Sequence, residues 1–133
     1  SYNANPSSMR SALETLACIF TNKNKNYAHS RRIAVLGDML ELGPSEVKEH
    51  INISKFTKLS QIDKIFCVGL RMRRLYEVLP PSKQGFWTET AEEMQHLLVN
   101  KFKNGDIIMI KGSFSMRMNT IVSELKRLNN LEF

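Results

Sequence analysis

Apolar residues recur along this chain with two periods, and the alternation between them predicts an α/β fold. Over residues 6–20, Met9, Ala12, Leu13, Leu16, Ala17 and Phe20 stand three and four apart, which stacks them on one face of a helix. Asn5 followed by Pro6 predicts its start, because Asn caps well and Pro in the first turn gives up only an amide that has no intrahelical acceptor. Polar residues, with Lys and Asn alternating, fill 21–30 and predict an exposed connection without chemistry. The segment 32–36 carries Ile33, Ala34, Val35 and Leu36 without interruption and closes on Gly37 and Asp38, as a strand buried on both faces requires.

A helix is then predicted from near Pro44 and Ser45 to about Leu59, with Glu46 and Glu49 in the first turn, where the helix dipole favours acids. Lys64–Val68 reads as a second buried strand before Gly69, and residues 71–79 as a short helix stopped by Pro80 and Pro81. A brief strand at 86–88 precedes Thr90 and Glu93, the two ends of a capping box for a helix whose apolar face is Ala91, Met94, Leu97, Leu98 and Phe102. The last strand is predicted at 106–111 and the last helix at 116–128, with Met118, Ile121, Val122, Leu125 and Leu128 inward and Asn129 and Asn130 ending it. Strands alternating with helices in this way imply right-handed crossovers. The expected fold is one Rossmann-like domain over 1–133, its mainly parallel sheet covered by helices on both faces. Such a unit ordinarily opens with a strand, whereas a loop and a cap come first here, so a strand feeding Tyr2 and preceding domains are expected upstream.

With 133 residues, 42% of them hydrophobic and 24% charged, the chain is sized for one core and composed like a globular domain. Its longest apolar runs, 33–36 and 107–110, are too short to span a bilayer, and no apolar stretch with a cleavage site follows the N-terminus. The expectation is a cytoplasmic protein without a membrane partner. Cys18 and Cys67 lie in apolar stretches without metal-ligand spacing and read as small core residues in a reducing compartment. A net charge of +6 raises nucleic acid as a partner. The densest basic group, Arg71, Arg73 and Arg74, is interleaved with Leu70, Met72, Leu75 and Tyr76 at helical spacing, which favours a solvated helix face over a nucleic-acid groove.

Open α/β sheets hold ligands beyond the carboxyl ends of their strands, which directs attention to residues 2–8, 37–43, 69–71 and 111–115. In the first segment Asn3, Asn5, Ser7 and Ser8 surround free amides at a helix N-terminus, an arrangement that suits an ordinary cap as well as a phosphate, a carboxylate or a ribose hydroxyl. The second carries Met39, Leu40 and Leu42 through a turn bounded by Gly37 and Gly43. It either covers the core, with Asp38 capping a turn, or faces a ligand. In the last segment Lys111, Gly112 and Ser113 join a cation, a flexible backbone and a hydroxyl, which fits an anion site and equally a lysine leaving a buried strand. The chain contains no P-loop spacing and no nucleophile elbow, and His29, His50 and His96 form no metal-ligand pattern with Cys or carboxylates. On this reading the chain carries no catalytic residue and no metal site of its own.

Taken together and in this order, Ser1-Tyr-Asn-Ala-Asn-Pro-Ser-Ser-Met9, Val35-Leu-Gly-Asp-Met-Leu-Glu-Leu-Gly43 with His50 downstream, and Ile110-Lys-Gly-Ser-Phe-Ser-Met116 resemble the C-terminal domain of the Mur ligases. The likeness spans essentially the whole chain, and within the family it points to members that join D-alanyl-D-alanine to UDP-N-acetylmuramoyl-tripeptide in peptidoglycan precursor synthesis.

The resemblance implies half of a site. ATP and Mg would be held mainly by a central P-loop domain and the UDP sugar by an N-terminal domain, both outside this sequence. The peptide carboxylate becomes an acyl phosphate, which the amine of D-alanyl-D-alanine attacks. This domain would position that amine substrate and the ATP ribose or base and exclude water, so it is expected to be inactive alone. By the same resemblance Asn3 and Asn5 match the nucleotide side, while Ala4, Ser7, Asp38, Lys111 and Ser113 match the substrate side, the last two near the dipeptide carboxylate. Phe114 stands where the family usually has Arg, and Asn119 where it often has Glu, which leaves Lys111 or Arg117 to supply the cation. A stand-alone Rossmann-like nucleotide-binding module is the alternative, and a basic nucleic-acid-binding domain the third reading.

Overall fold

A computed structural model describes residues 4–19 and 30–131, with side chains as far as Leu128. The expected connection at 21–30 falls outside them except for Ser30, as do Asn3 and His29. The elements run α1 (Pro6–Cys18), β1 (Arg32–Gly37), α2 (Glu46–Asn52), β2 (Lys64–Val68), α3 (Met72–Val78), β3 (Gln84–Thr88), α4 (Ala91–Leu98), β4 (Ile107–Lys111) and α5 (Asn119–Leu131). The four strands form one sheet in the order β3-β2-β1-β4, and every pair in it is parallel.

Alternation along the central strands divides the core in two. Ala34, Leu36, Ile65 and Cys67 face one side and pack with Met9, Leu13 and Leu16 of α1 and Met72 and Leu75 of α3. Ile33, Val35, Phe66 and Val68 face the other and meet Ala91, Met94 and Leu98 of α4 and Met118 and Ile121. Helices therefore cover both faces, as a parallel sheet needs. Cys67 is buried in the first core, where burial pushes its thiol well above the ordinary value. Cys18, expected inside as well, is exposed, with Lys58 Nζ 3.4 Å from its sulfur.

Three helices differ at their boundaries from the expected ones. The helix expected from 44 to 59 is α-helical only through Asn52, then continues as 3-10 turns at Ile53–Lys55 and Thr57–Gln61 with an extended residue, Phe56, between them. Its apolar residues explain the change. Ile53, Phe56, Leu59 and Ile62 all reach the core and stand three apart, a period that 3-10 geometry puts on one line and an α-helix smears around its surface. Arg117 takes a left-handed conformation at φ 57°, so the last helix starts at Asn119 and not at 116, and it runs on through Asn129 and Asn130. The helix after Thr90 ends at Leu98, and Phe102 packs on the second core from the loop beyond.

Candidate functional site

α1 begins with a reciprocal cap. Asn5 Oδ1 accepts from the Ser8 amide at 2.8 Å, and Ser8 Oγ accepts from the Asn5 amide at 3.1 Å, the capping-box pattern with Ser in place of the usual acid. At the other end of the helix the Ile19 carbonyl accepts from Arg32 Nη2 at 2.6 Å, beside the start of β1. The helix thus runs antiparallel to the strand, and Asn5 lies at the carboxyl edge of the sheet. Asn5 is exposed, and its Nδ2 has no partner among the described residues, so two donors face outward from the cap. Ala4 is buried and Ser7 exposed on the same turn.

Asp38 ties the edge together. Its side chain is 2% exposed, with Oδ1 accepting from the Met72 amide at 2.7 Å and Oδ2 from the Arg71 amide and Arg71 Nη1, both at 3.3 Å. It caps the turn into α3 from the loop after β1, the capping alternative for this acid realised with a partner in another loop. Gly69 makes room for it. Arg71 is gripped from a second direction by Glu46 of α2, whose Oε1 accepts from Nε at 2.7 Å. Glu46, and then Asp38, raise the pKa of that guanidinium above its ordinary value against the opposing effect of burial.

The loop after β1 is fixed on its other side as well. The Ser113 amide donates to the Asp38 carbonyl at 3.0 Å, and Ser113 Oγ accepts from the Leu40 amide at 2.9 Å. The Met39 amide donates to His50 Nε2 at 3.0 Å. Because an amide can only donate, Nε2 is bare and Nδ1 carries the proton, which it gives to the Glu46 carbonyl at 2.7 Å. The buried His50 is therefore neutral in this geometry. Glu41 and Gly43 turn the loop at φ 63° each, and Gly112 passes so close to Gly37 that an added Cβ would lie 2.9 Å from the Gly37 Cα.

The structure thus brings Asp38, Lys111 and Ser113 to one edge, with Asn5, Ala4 and Ser7 at the same end of α1. It also places Arg71 and Glu46 there; the sequence marked 69–71 as a strand-end segment but gave Arg71 no role in the site, and it gave Glu46 only a place in a first helical turn. The helical spacing around Arg71 suggested a solvated face, and only the fold puts Asp38 and Glu46 against it. Phe114 is 67% exposed beside Ser113, and Arg117 pairs with Glu92 at 3.7 Å. Among the described residues no three His, Cys, Asp or Glu side chains converge to hold a metal ion, and no helix is long and apolar enough to cross a membrane.

A family model described as the Mur ligase, glutamate ligase domain matches residues 1–114. The chain belongs to that family. The Mur ligase relatives include the UDP-N-acetylmuramoyl-tripeptide–D-alanyl-D-alanine ligase of Rickettsia prowazekii, 28% identical over 91% of this chain and 25% of its own length. The enzyme of the same name from Bacillus subtilis is 30% identical over 93% of this chain and 26% of its own length. A crystal structure of MurF from Acinetobacter baumannii superposes with a TM-score of 0.74 at 28% identity, covering 94% of this chain and 26% of that one. The chain spans about a quarter of the length of the relatives it matches, and its α/β fold is the one those Mur ligases carry over that part.

Proposed function

We propose that this domain forms one wall of an ATP-dependent ligase that joins D-alanyl-D-alanine to UDP-N-acetylmuramoyl-tripeptide in the cytoplasm, during peptidoglycan precursor synthesis. The observation that carries the reading is the bonding of the second and third family segments to each other through Asp38, Leu40 and Ser113, with His50 holding Met39, at the carboxyl edge of a parallel sheet, the edge at which the Asn5 end of α1 also lies and where such sheets hold ligands. Relatives bearing that enzyme's name match more than nine-tenths of the chain.

ATP would supply the phosphoryl group that activates the peptide carboxylate. Asn5 fits the nucleotide side: its oxygen is committed to the cap, and its two amide donors face an acceptor on ribose or base. Asn3 belongs to the same proposal. Mg finds no set of acids among the described residues, so in this reading other domains hold it. Ser113 has its lone pair engaged by Leu40 and keeps a hydroxyl proton to donate, and Lys111 ends β4 one residue before the close glycine contact. We assign both to the incoming substrate. Ala4 and Ser7 shape the turn, and Asp38 acts by holding the edge rigid. The domain contributes orientation and exclusion of water, effects that lower a barrier without a proton-transfer residue.

The test is made on the complete protein. ADP release is expected only when UDP-N-acetylmuramoyl-tripeptide and D-alanyl-D-alanine are both present, and Asn5→Ala combined with Lys111→Ala is expected to lower kcat/KM at least tenfold, about 1.4 kcal/mol of transition-state binding. Wild-type rates in that double variant would remove these two residues from the site. The 133-residue chain alone is expected to bind ATP weakly in calorimetry, and tight binding would favour a stand-alone nucleotide module.

A further inference from the structure

Beside the loops just described lies a shallow depression of about 310 Å³, lined by Glu46, Val47, Leu70, Arg71 and Arg74. Its chemistry is mixed in a specific way. Val47 and Leu70 are exposed apolar side chains, 41% and 57% accessible. Arg71 is locked in place by Glu46 on Nε and Asp38 on Nη1, while its Nη2 has no partner among the described residues. Arg74 stands three residues on, hence on the same side of α3, and among the described residues it has no ion pair.

We propose that Arg71 and Arg74 are the subsite for the terminal carboxylate of the incoming D-alanyl-D-alanine, with Val47 and Leu70 against its methyl groups. The inference rests on the ligase reading above and deepens it. A guanidinium whose other nitrogens are already bound loses little freedom when its remaining edge accepts a carboxylate, so Arg71 is preorganised, and Arg74 adds a second donor group. Phosphates are the competing anions, and two features disfavour them. Glu46 and Asp38 offset Arg71 and leave Arg74 as the one unpaired charge of the four, which suits a monoanion better than a polyanion, and a phosphate gains nothing from the exposed Val47 and Leu70. A small monoanion with short apolar side chains uses every group present. The subsite also provides the directional cation that Phe114 does not.

The experiment uses the complete ligase, with D-alanyl-D-alanine and its C-terminal amide as alternative substrates. Wild type is expected to prefer the acid over the amide by about tenfold or more in kcat/KM, the scale of one charge-assisted hydrogen bond. Arg74→Gln breaks no bond of the described structure. It is expected to raise KM for the acid, leave kcat and the KM of ATP and of the UDP substrate within about twofold, and collapse the acid-over-amide preference. Arg71→Lys is expected to erode the same preference at unchanged charge, because an ammonium cannot reach Glu46, Asp38 and the ligand together. An active enzyme whose acid preference survives Arg74→Gln overturns the subsite and leaves the ligase reading standing, as does an equal rise in the KM of ATP, which would mark a phosphate site. If the wild-type enzyme does not ligate D-alanyl-D-alanine at all, the ligase reading itself falls and takes the subsite with it.

Discussion

Gly69 stands at φ 109°, and a Cβ built on it would lie 2.3 Å from Asp38 Oδ1. Alanine there faces two penalties, a backbone region that L-residues avoid and a side chain pressed into a buried carboxylate. Relief requires moving Asp38 off the Met72 and Arg71 amides, which leaves buried polar groups unmatched. Gly69→Ala is therefore expected to destabilise the protein by about 3 kcal/mol or more, read as a lower denaturant midpoint at unchanged slope. A loss below about 0.5 kcal/mol would refute this account of the edge. In the sequence this glycine was legible as the stop of a strand and the start of a strand-end segment, with nothing to tie it to Asp38. The residues that decide its role, Asp38 and Arg71, are brought beside each other by parallel pairing of β1 with β2, a contact no local pattern records. His50 is a similar case: its position on a helix was readable, its bond to the Met39 amide was not.

At the scale of elements, the start of α1 separates two roles that one residue carries. Asn5 caps the helix through Oδ1 and offers Nδ2 outward. Asp is an equally good cap, so Asn5→Asp should leave thermal stability within about 0.5 kcal/mol of wild type while replacing two donors by an acceptor. The expected outcome in the complete ligase is an unchanged melting temperature with a raised KM for ATP, whereas Asn5→Ala should also lose about 1 kcal/mol of stability. If ATP binding survives Asn5→Asp, the outward amide makes no nucleotide contact. This cap was legible because its signal is local: Asn, Pro and Ser within four positions. The helix from Glu46 was legible at its acidic first turn and misjudged at its end, because no Gly or Pro stands between Ser45 and Leu59 to mark the stop. The run Ile53, Phe56, Leu59 and Ile62 keeps a strict three and so selects 3-10 turns. Likewise the start of α5 was hidden by Arg117, whose left-handed turn no residue type announces.

At the scale of the whole molecule, the handedness of the connections says where a strand leading into α1 would pair. The 3-10 turns after α2 and then α3 cover the first core on the way from β1 to β2 and from β2 to β3, and α4 covers the second on the way back from β3 to β4. This is the consistent arrangement of right-handed crossovers. α1 lies on the same face as α3 and packs over β4 as well as β1, so a strand leading into α1 must come from the β4 side. β4 already occupies the place next to β1, which leaves the outer edge of β4. That edge has the marks of an unfinished sheet. Every residue of β4 is only half buried, in contrast to the buried centre of β1, and a groove of about 520 Å³ runs beside Ile108, Ile110, Val122 and Leu125. A parallel strand leading into the Asn5 cap in the full-length protein is expected to pair there. Hydrogen exchange provides the measurement. In the full-length protein the β4 amides that point away from β1 should be protected to the level of those that point toward it, and in the 133-residue chain they should exchange as an open edge does. Equal, fast exchange of the outward amides in both forms would place the incoming strand elsewhere and force either a left-handed crossover into β1 or a connection that bypasses the sheet, the rare outcome among parallel βαβ units.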